Sequence, residues 1–197
     1  EQSSREHLGQ TLAVLYRSEL SAIRSKLRQE LQTNLQPSHA TVLSGDEGHG
    51  KSWLAAQVCS DYEGIALFAS AERFDDISTR ELDELLIGLL VEQTGDRPSE
   101  NVKERWRRRL ASWKQQPPKC SILLIVDGIN QRASLGWAKL INAMHARLSG
   151  IGGCLLITAR PQFWSKIVAP GLYRDHKVIS VPEWLPEERD KLLEYHG

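Results

Sequence analysis

A chain of 197 residues, 41% of them hydrophobic, is long enough to bury one real core, and 25 basic against 25 acidic residues create no global field that would recommend nucleic acid or an anionic membrane as partner. The longest apolar runs, residues 85–91 and 122–126, fall far short of the roughly 20 residues that span a bilayer, and the N-terminal residues are polar where a signal peptide would be apolar. Cys59, Cys120 and Cys154 are odd in number and widely spaced, without C-x-x-C or H-x-x-x-H patterns; this fits reduced thiols in a cytoplasmic protein and speaks against a disulfide frame or structural zinc.

Apolar residues recur at near-helical spacing from Leu8 to Leu31, predicting one long helix or two in tandem over residues 5–31, ended by Pro37. A short apolar run, Thr41-Val42-Leu43-Ser44, reads as a buried strand and residues 53–58 as the helix that follows it. Residues 64–69 are the next strand candidate. Ser78 with Glu81 three residues on forms a capping-box pattern before a helix striped by Leu82, Leu85, Leu86, Leu89 and Leu90. A second helix is expected over residues 100–115, with Val102, Trp106, Leu110 and Trp113 on its dry face and the basic cluster at 105–109 on its wet face. After Pro117-Pro118, residues 121–126 form the most hydrophobic run, the mark of a parallel strand covered on both faces, closing on Asp127. A helix over 134–148, a glycine turn, strands at 154–158 and 176–181 and a helix opening after Pro186 complete the pattern. Strands alternating with helices imply an α/β domain with a mainly parallel sheet.

Between the first strand and its helix lies Gly45-Asp46-Glu47-Gly48-His49-Gly50-Lys51-Ser52, a complete G-x-x-x-x-G-K-S phosphate loop. Its glycines let backbone N–H groups converge on a polyphosphate, and the following helix aims its positive end at the anion. Lys51 is expected to reach the β- and γ-phosphates and Ser52 to hold Mg²⁺, with residues 45–52 and the adjoining Trp53 as the nucleotide contacts. Asp127, an acid costly to place at the end of a buried strand, is the expected partner of Ser52 in holding Mg²⁺. Arg160, at the end of the next strand, is placed to meet charge developing on the γ-phosphate.

These segments, together with Leu123-Leu124-Ile125-Val126-Asp127-Gly128 and Leu156-Ile157-Thr158-Ala159-Arg160-Pro161, resemble the Walker A, Walker B and sensor segments of STAND signal-transduction ATPases, which include the NACHT and apoptotic-ATPase groups. The likeness covers about residues 40–185. It implies a P-loop NTPase fold, a three-layer α/β/α domain with a parallel five-stranded sheet in the order 5-1-4-3-2. It also implies an ATP/ADP switch: ADP holds a closed form, while ATP permits oligomerisation with other copies after further domains sense a protein ligand, in a role such as antiviral defence. Residues 1–39 then form an N-terminal helical segment, 40–184 the NTPase domain, and 185–197 the start of a helical domain in a longer protein. Many members continue Walker B with two acids, whereas this chain has Ile129-Asn130-Gln131 after Gly128. Hydrolysis is expected to be slow, with Gln131 or Asn130 orienting water and Glu47 as a reserve base.

No N-K-x-D or T-K-x-D guanine motif occurs, and Gly128 replaces the glutamate that an AAA+ remodeller places after its Walker B aspartate. A DNA-dependent or AAA+-like ATPase, and an interaction module stabilised by nucleotide without turnover, remain the alternative readings. Nucleic acid is not the expected partner of this domain.

Overall fold

The structure is a computed structural model that describes residues 24–194 except 76, 96 and 119–121. The apolar runs pair into one parallel sheet: β1 (Ala40–Ser44), β2 (Ile65–Ser70), β3 (Ile122–Asp127), β4 (Cys154–Ala159) and β5 (His176–Ser180). Read across the sheet the order is β2-β3-β4-β1-β5, the expected 5-1-4-3-2 seen from the other edge. Every residue of β1 and β4 is buried. Register places Ser44 beside both Ala159 and Ser180, and Ser70 beside Asp127, so the carboxyl ends of the strands share one rim.

Period-two alternation splits the core in two. Leu43, Leu123, Ile125 and Leu156 face α1 (Ser25–Asn34) and α2 (Lys51–Asp61), where Leu31, Leu54 and Val58 complete the packing. Val42, Leu124, Val126 and Ile157 face the opposite layer of α3 (Leu82–Gln93), α4 (Glu100–Gln115), α5 (Trp137–Ser149) and residues 161–171. Phe74 and Trp137 fill its centre with ring centroids 5.5 Å apart. A last helix, α6, covers Pro186–Glu194. The chain is therefore the expected three-layer α/β/α domain.

Several boundaries differ from the sequence reading, each for a local reason. The predicted N-terminal helix lies outside the described residues up to residue 23, and α1 continues three residues past Leu31. Helix α3 starts at Leu82, not at Ser78: the Ser78 hydroxyl and amide both donate to the Glu81 carboxylate, so the pair builds a turn before the helix. Helix α5 starts at Trp137, because residues 129–132 are wound into a 3₁₀ turn whose Arg132 carbonyl accepts the Trp137 indole N–H at 2.8 Å. Residues 161–171, left without an element, form a mixed helical stretch that passes from α to π to 3₁₀ geometry. On α4, Trp106 and Leu110 are buried as expected; Arg107 pairs with Glu84 of α3, and Arg109 lies over both Trp106 and Trp113. Cys154 is buried and Cys59 half-buried, neither in a disulfide among the described residues; Cys120 lies outside them. Among the described residues no helix is long and apolar enough to cross a membrane.

Strand β2 forms one edge of the sheet, and the Gln93 side-chain amide occupies it. Its oxygen accepts from Phe68 N at 2.9 Å and its nitrogen donates to Phe68 O at 2.8 Å, reproducing a strand pairing. Replacing Gln93 by Leu removes both bonds and is expected to lower stability in urea denaturation by about 1 kcal/mol. An unchanged midpoint would show that the bridge contributes nothing.

Candidate nucleotide-binding site

The loop between β1 and α2 emerges at the strand rim, at the carboxyl ends where open α/β sheets bind ligands. Gly45 donates to Ala159 O at 3.3 Å, tying the loop to β4. A Cβ on Gly45 would lie 2.8 Å from the Val181 carbonyl, so close approach of the chain leaving β5 explains this glycine. Gly48 and Gly50 have φ of +79° and +78°, the left-handed region in which side chains are strained. Space beside Gly48 is open, whereas a Cβ on Gly50 would collide with the Trp184 ring. Lys51 opens α2, and its ammonium donates to Asp46 O at 2.7 Å, folding back over the loop.

Asp127 gathers hydroxyls from both neighbouring elements. Its Oδ1 accepts from Ser52 Oγ at 2.9 Å and from Thr158 Oγ1 at 2.6 Å, while Gly128 N donates to Thr158 Oγ1 at 2.7 Å. Thr158 is buried, and insertion of β4 between β1 and β3 is what brings it there. The sequence reading included Thr158 in a motif without giving it this part. Ser52 and Asp127 together are hard oxygen donors of the kind Mg²⁺ takes, at the mouth of a loop with open space beside Gly48. The residues present therefore fit a nucleotide with its metal ion.

Arg160 leaves β4 exposed and pairs with Glu47 inside the loop, so Glu47 meets a cation where a reserve base was expected. Burial first, and Arg160 second, push the Lys51 ammonium below its ordinary value, against the opposing pull of Asp127, Asp46 and Glu47. Gln131 sits in the 3₁₀ turn after Gly128, its backbone N bonded to Gly128 O at 2.8 Å and its amide packed over the glycine, where a Cβ would lie 3.0 Å from its Cδ. Asn130 is half-buried beside it. The expected site residues thus lie on three loops of one rim.

Two residues that sequence reasoning missed stand on the other flank of the loop. Trp184, four residues beyond β5, donates its indole N–H to Gly48 O at 2.6 Å and meets Trp53 edge-on at 5.4 Å. Arg24 lies 3.8 Å over the Trp184 ring, donates to His49 O at 2.7 Å and pairs with Glu188 at 3.2 Å. It is the one non-glycine residue with positive φ among those described, at +56°, a strain of about 1–2 kcal/mol. A tryptophan set between Pro182 and Pro186 in a polar stretch was the available signal; nothing local marks Arg24.

The fold is similar to a chain in the structure of Drosophila ORC bound to DNA, with a TM-score of 0.55, 16% identity, and coverage of 96% of this chain and 49% of that one. The present chain thus spans about half the length of the chain it matches. Likeness at this identity establishes architecture alone, a three-layer α/β/α domain on a parallel five-stranded sheet. No protein-family model matches, and no curated protein matches by sequence.

Thr158→Val preserves shape but leaves the Gly128 amide without its acceptor, an expected loss of about 1–3 kcal/mol in chemical denaturation. Thr158→Ser, which keeps the hydroxyl, should recover most of it. Because the folded chain holds the Lys51 pKa below 10.5, the unfolded chain binds more protons between the folded value and 10.5, and stability rises with pH across that window. Without nucleotide, Lys51→Met should therefore melt above the wild type near neutral pH, with the gap closing as pH rises through the window; a pH-independent gap would contradict this.

Proposed function

We propose that this chain is the nucleotide-operated ATPase module of a STAND-type switch, binding ATP and ADP with Mg²⁺ and hydrolysing slowly. The observation that carries the reading is the Asp127 carboxylate shared by the Ser52 and Thr158 hydroxyls at the mouth of a complete phosphate loop, with Asn130 and Gln131 where acids would stand. Ser52 and Asp127 hold the metal ion, which when bound supplies charge neutralisation on the phosphates. Loop amides and Lys51 bind the polyphosphate, and the positive end of α2 faces it. Arg160, which pairs with Glu47, would meet the γ-phosphate from the end of β4. Gln131 orients the attacking water with Asn130 beside it; neither removes a proton as a carboxylate would, so bound nucleotide outlasts many encounters with water. Adenine is favoured by the missing guanine motif. Closure with ADP, oligomerisation with ATP, an outside protein ligand and a defence output follow from the STAND resemblance, with residues 40–184 as the switching domain.

The similar structure was solved with DNA, so the expectation from net charge that nucleic acid is no partner is not carried forward, and DNA becomes an arm of the test. Thermal melting with Mg²⁺ and either nucleotide at about 100 times its dissociation constant should give stabilisation near 2.7 kcal/mol, a rise of roughly 5–10 °C. Lys51→Ala should abolish it. No rise with either nucleotide, or an undiminished rise in the variant, excludes the switch. Turnover above a few per second overturns slow hydrolysis, and turnover that climbs with added DNA and collapses with salt favours a DNA-dependent ATPase.

A further inference from the structure

The phosphate loop is gripped from outside. Consecutive carbonyls, those of Gly48 and His49, accept from Trp184 Nε1 at 2.6 Å and from Arg24 Nη1 at 2.7 Å. In a planar trans peptide the N–H points opposite to its carbonyl, so turning these two oxygens outward turns the amides of His49 and Gly50 toward the inside of the loop. The His49 amide closes the loop onto Asp46 O at 3.3 Å, and the Gly50 amide begins α2, where a polyphosphate needs its donors.

Neither gripping residue belongs to the loop, the sheet or the metal site. Arg24 precedes α1 and Trp184 follows β5, so the two segments flanking the sheet meet over the loop. The grip is built as a unit. The Arg24 side chain is 3% exposed, fixed by Glu188 Oε2 at 3.2 Å and by the Trp184 ring at 3.8 Å, and its Nη2 is buried without a partner among the described residues. The Glu188 carboxylate also accepts from Leu185 N at 3.0 Å, which ties the start of α6 to the same cluster. Trp184 packs so tightly on Gly50 that no other residue fits there.

We propose that Arg24 and Trp184 are positioning residues of the phosphate loop, a guanidinium and an indole that hold its carbonyls outward, so that the His49 amide closes the loop onto Asp46 O and the Gly50 amide faces the anion. Nucleotide affinity then depends on where the segment after β5 sits, because displacing residues 184–188 removes the indole donor and the Glu188 anchor of Arg24 together. This rests on the reading that the loop binds nucleotide. The contacts of both residues are with Gly48, His49, Trp53, Glu188 and each other, so the clamp serves ADP and ATP alike.

The test compares Trp184→Phe, which keeps the ring and loses the N–H, and Arg24→Lys, which keeps the charge but cannot span His49 O and Glu188 together. Calorimetric titration with Mg-ADP and with a slowly hydrolysed ATP analogue should give dissociation constants raised about fivefold or more in each variant, by similar factors for the two nucleotides. Melting temperatures without nucleotide should stay within about 2 °C of wild type for Trp184→Phe. Amide hydrogen exchange of residues 45–52 in the unliganded variants should quicken while that of β3 does not, a readout that does not require nucleotide binding. Wild-type affinities in both variants, unchanged loop exchange, or a loss confined to the ATP analogue would overturn the clamp while leaving the nucleotide site standing. Wild type that binds neither nucleotide removes both.

Discussion

A carboxylate at the end of a buried strand is the constraint from which the rim of this molecule is organised. Asp127 leaves β3 where a charge is costly, and Thr158 and Ser52 both turn hydroxyls to the same oxygen. Through that oxygen α2, β3 and β4 are held at fixed relative height, and through Thr158 the backbone of Gly128 is held as well. The parallel sheet makes this possible: β4, inserted between β1 and β3, delivers Thr158 and Arg160 into the space between the loop and the acid. A sheet ordered by sequence would have left that space to another strand.

The loop itself works with fixed backbone geometry. Gly48 and Gly50 adopt left-handed conformations that set the direction of their peptide planes, and Gly45 gives way to the chain leaving β5. Arg24 accepts backbone strain to bring its side chain into a nearly dry contact with an indole, where a cation–π contact is worth about 2 kcal/mol or more. The strain at Arg24 is thus offset by the contact that its own side chain makes. Charged side chains around the loop are already engaged: Arg160 is tied to Glu47 and Lys51 is held back over Asp46, while the Gln131 amide stands beside Gly128.

Much of this was legible in the sequence because its signals are local. Buried parallel strands announce themselves as apolar runs, and the phosphate loop carries its chemistry in eight consecutive residues. Strand order was reached through resemblance, since pairing between β1 and β4, more than a hundred residues apart, leaves no trace in either strand. Ser78 and Glu81 carried the letters of a capping box, but the serine hydroxyl donates to the carboxylate instead of accepting from the helix, so the same letters made a turn. Residues 161–171 change helical period twice and offer no single stripe to find. The pairing of Arg24 with Trp184 is invisible for a related reason: cation–π contacts between distant segments have no spacing rule.

The position of β1 in the sheet has a consequence for synthesis. Its two neighbours, β4 and β5, come after β2 and β3 in chain order, and Ser44 O and Gly45 N bond to Val181 N and Ala159 O. The loop must therefore wait for about 130 further residues before its foundation exists. β2 and β3 can pair before β4 and β5 have been made; the loop cannot be seated until then. A nascent chain that has reached only β3 carries the loop's full motif without the strands that hold its shape.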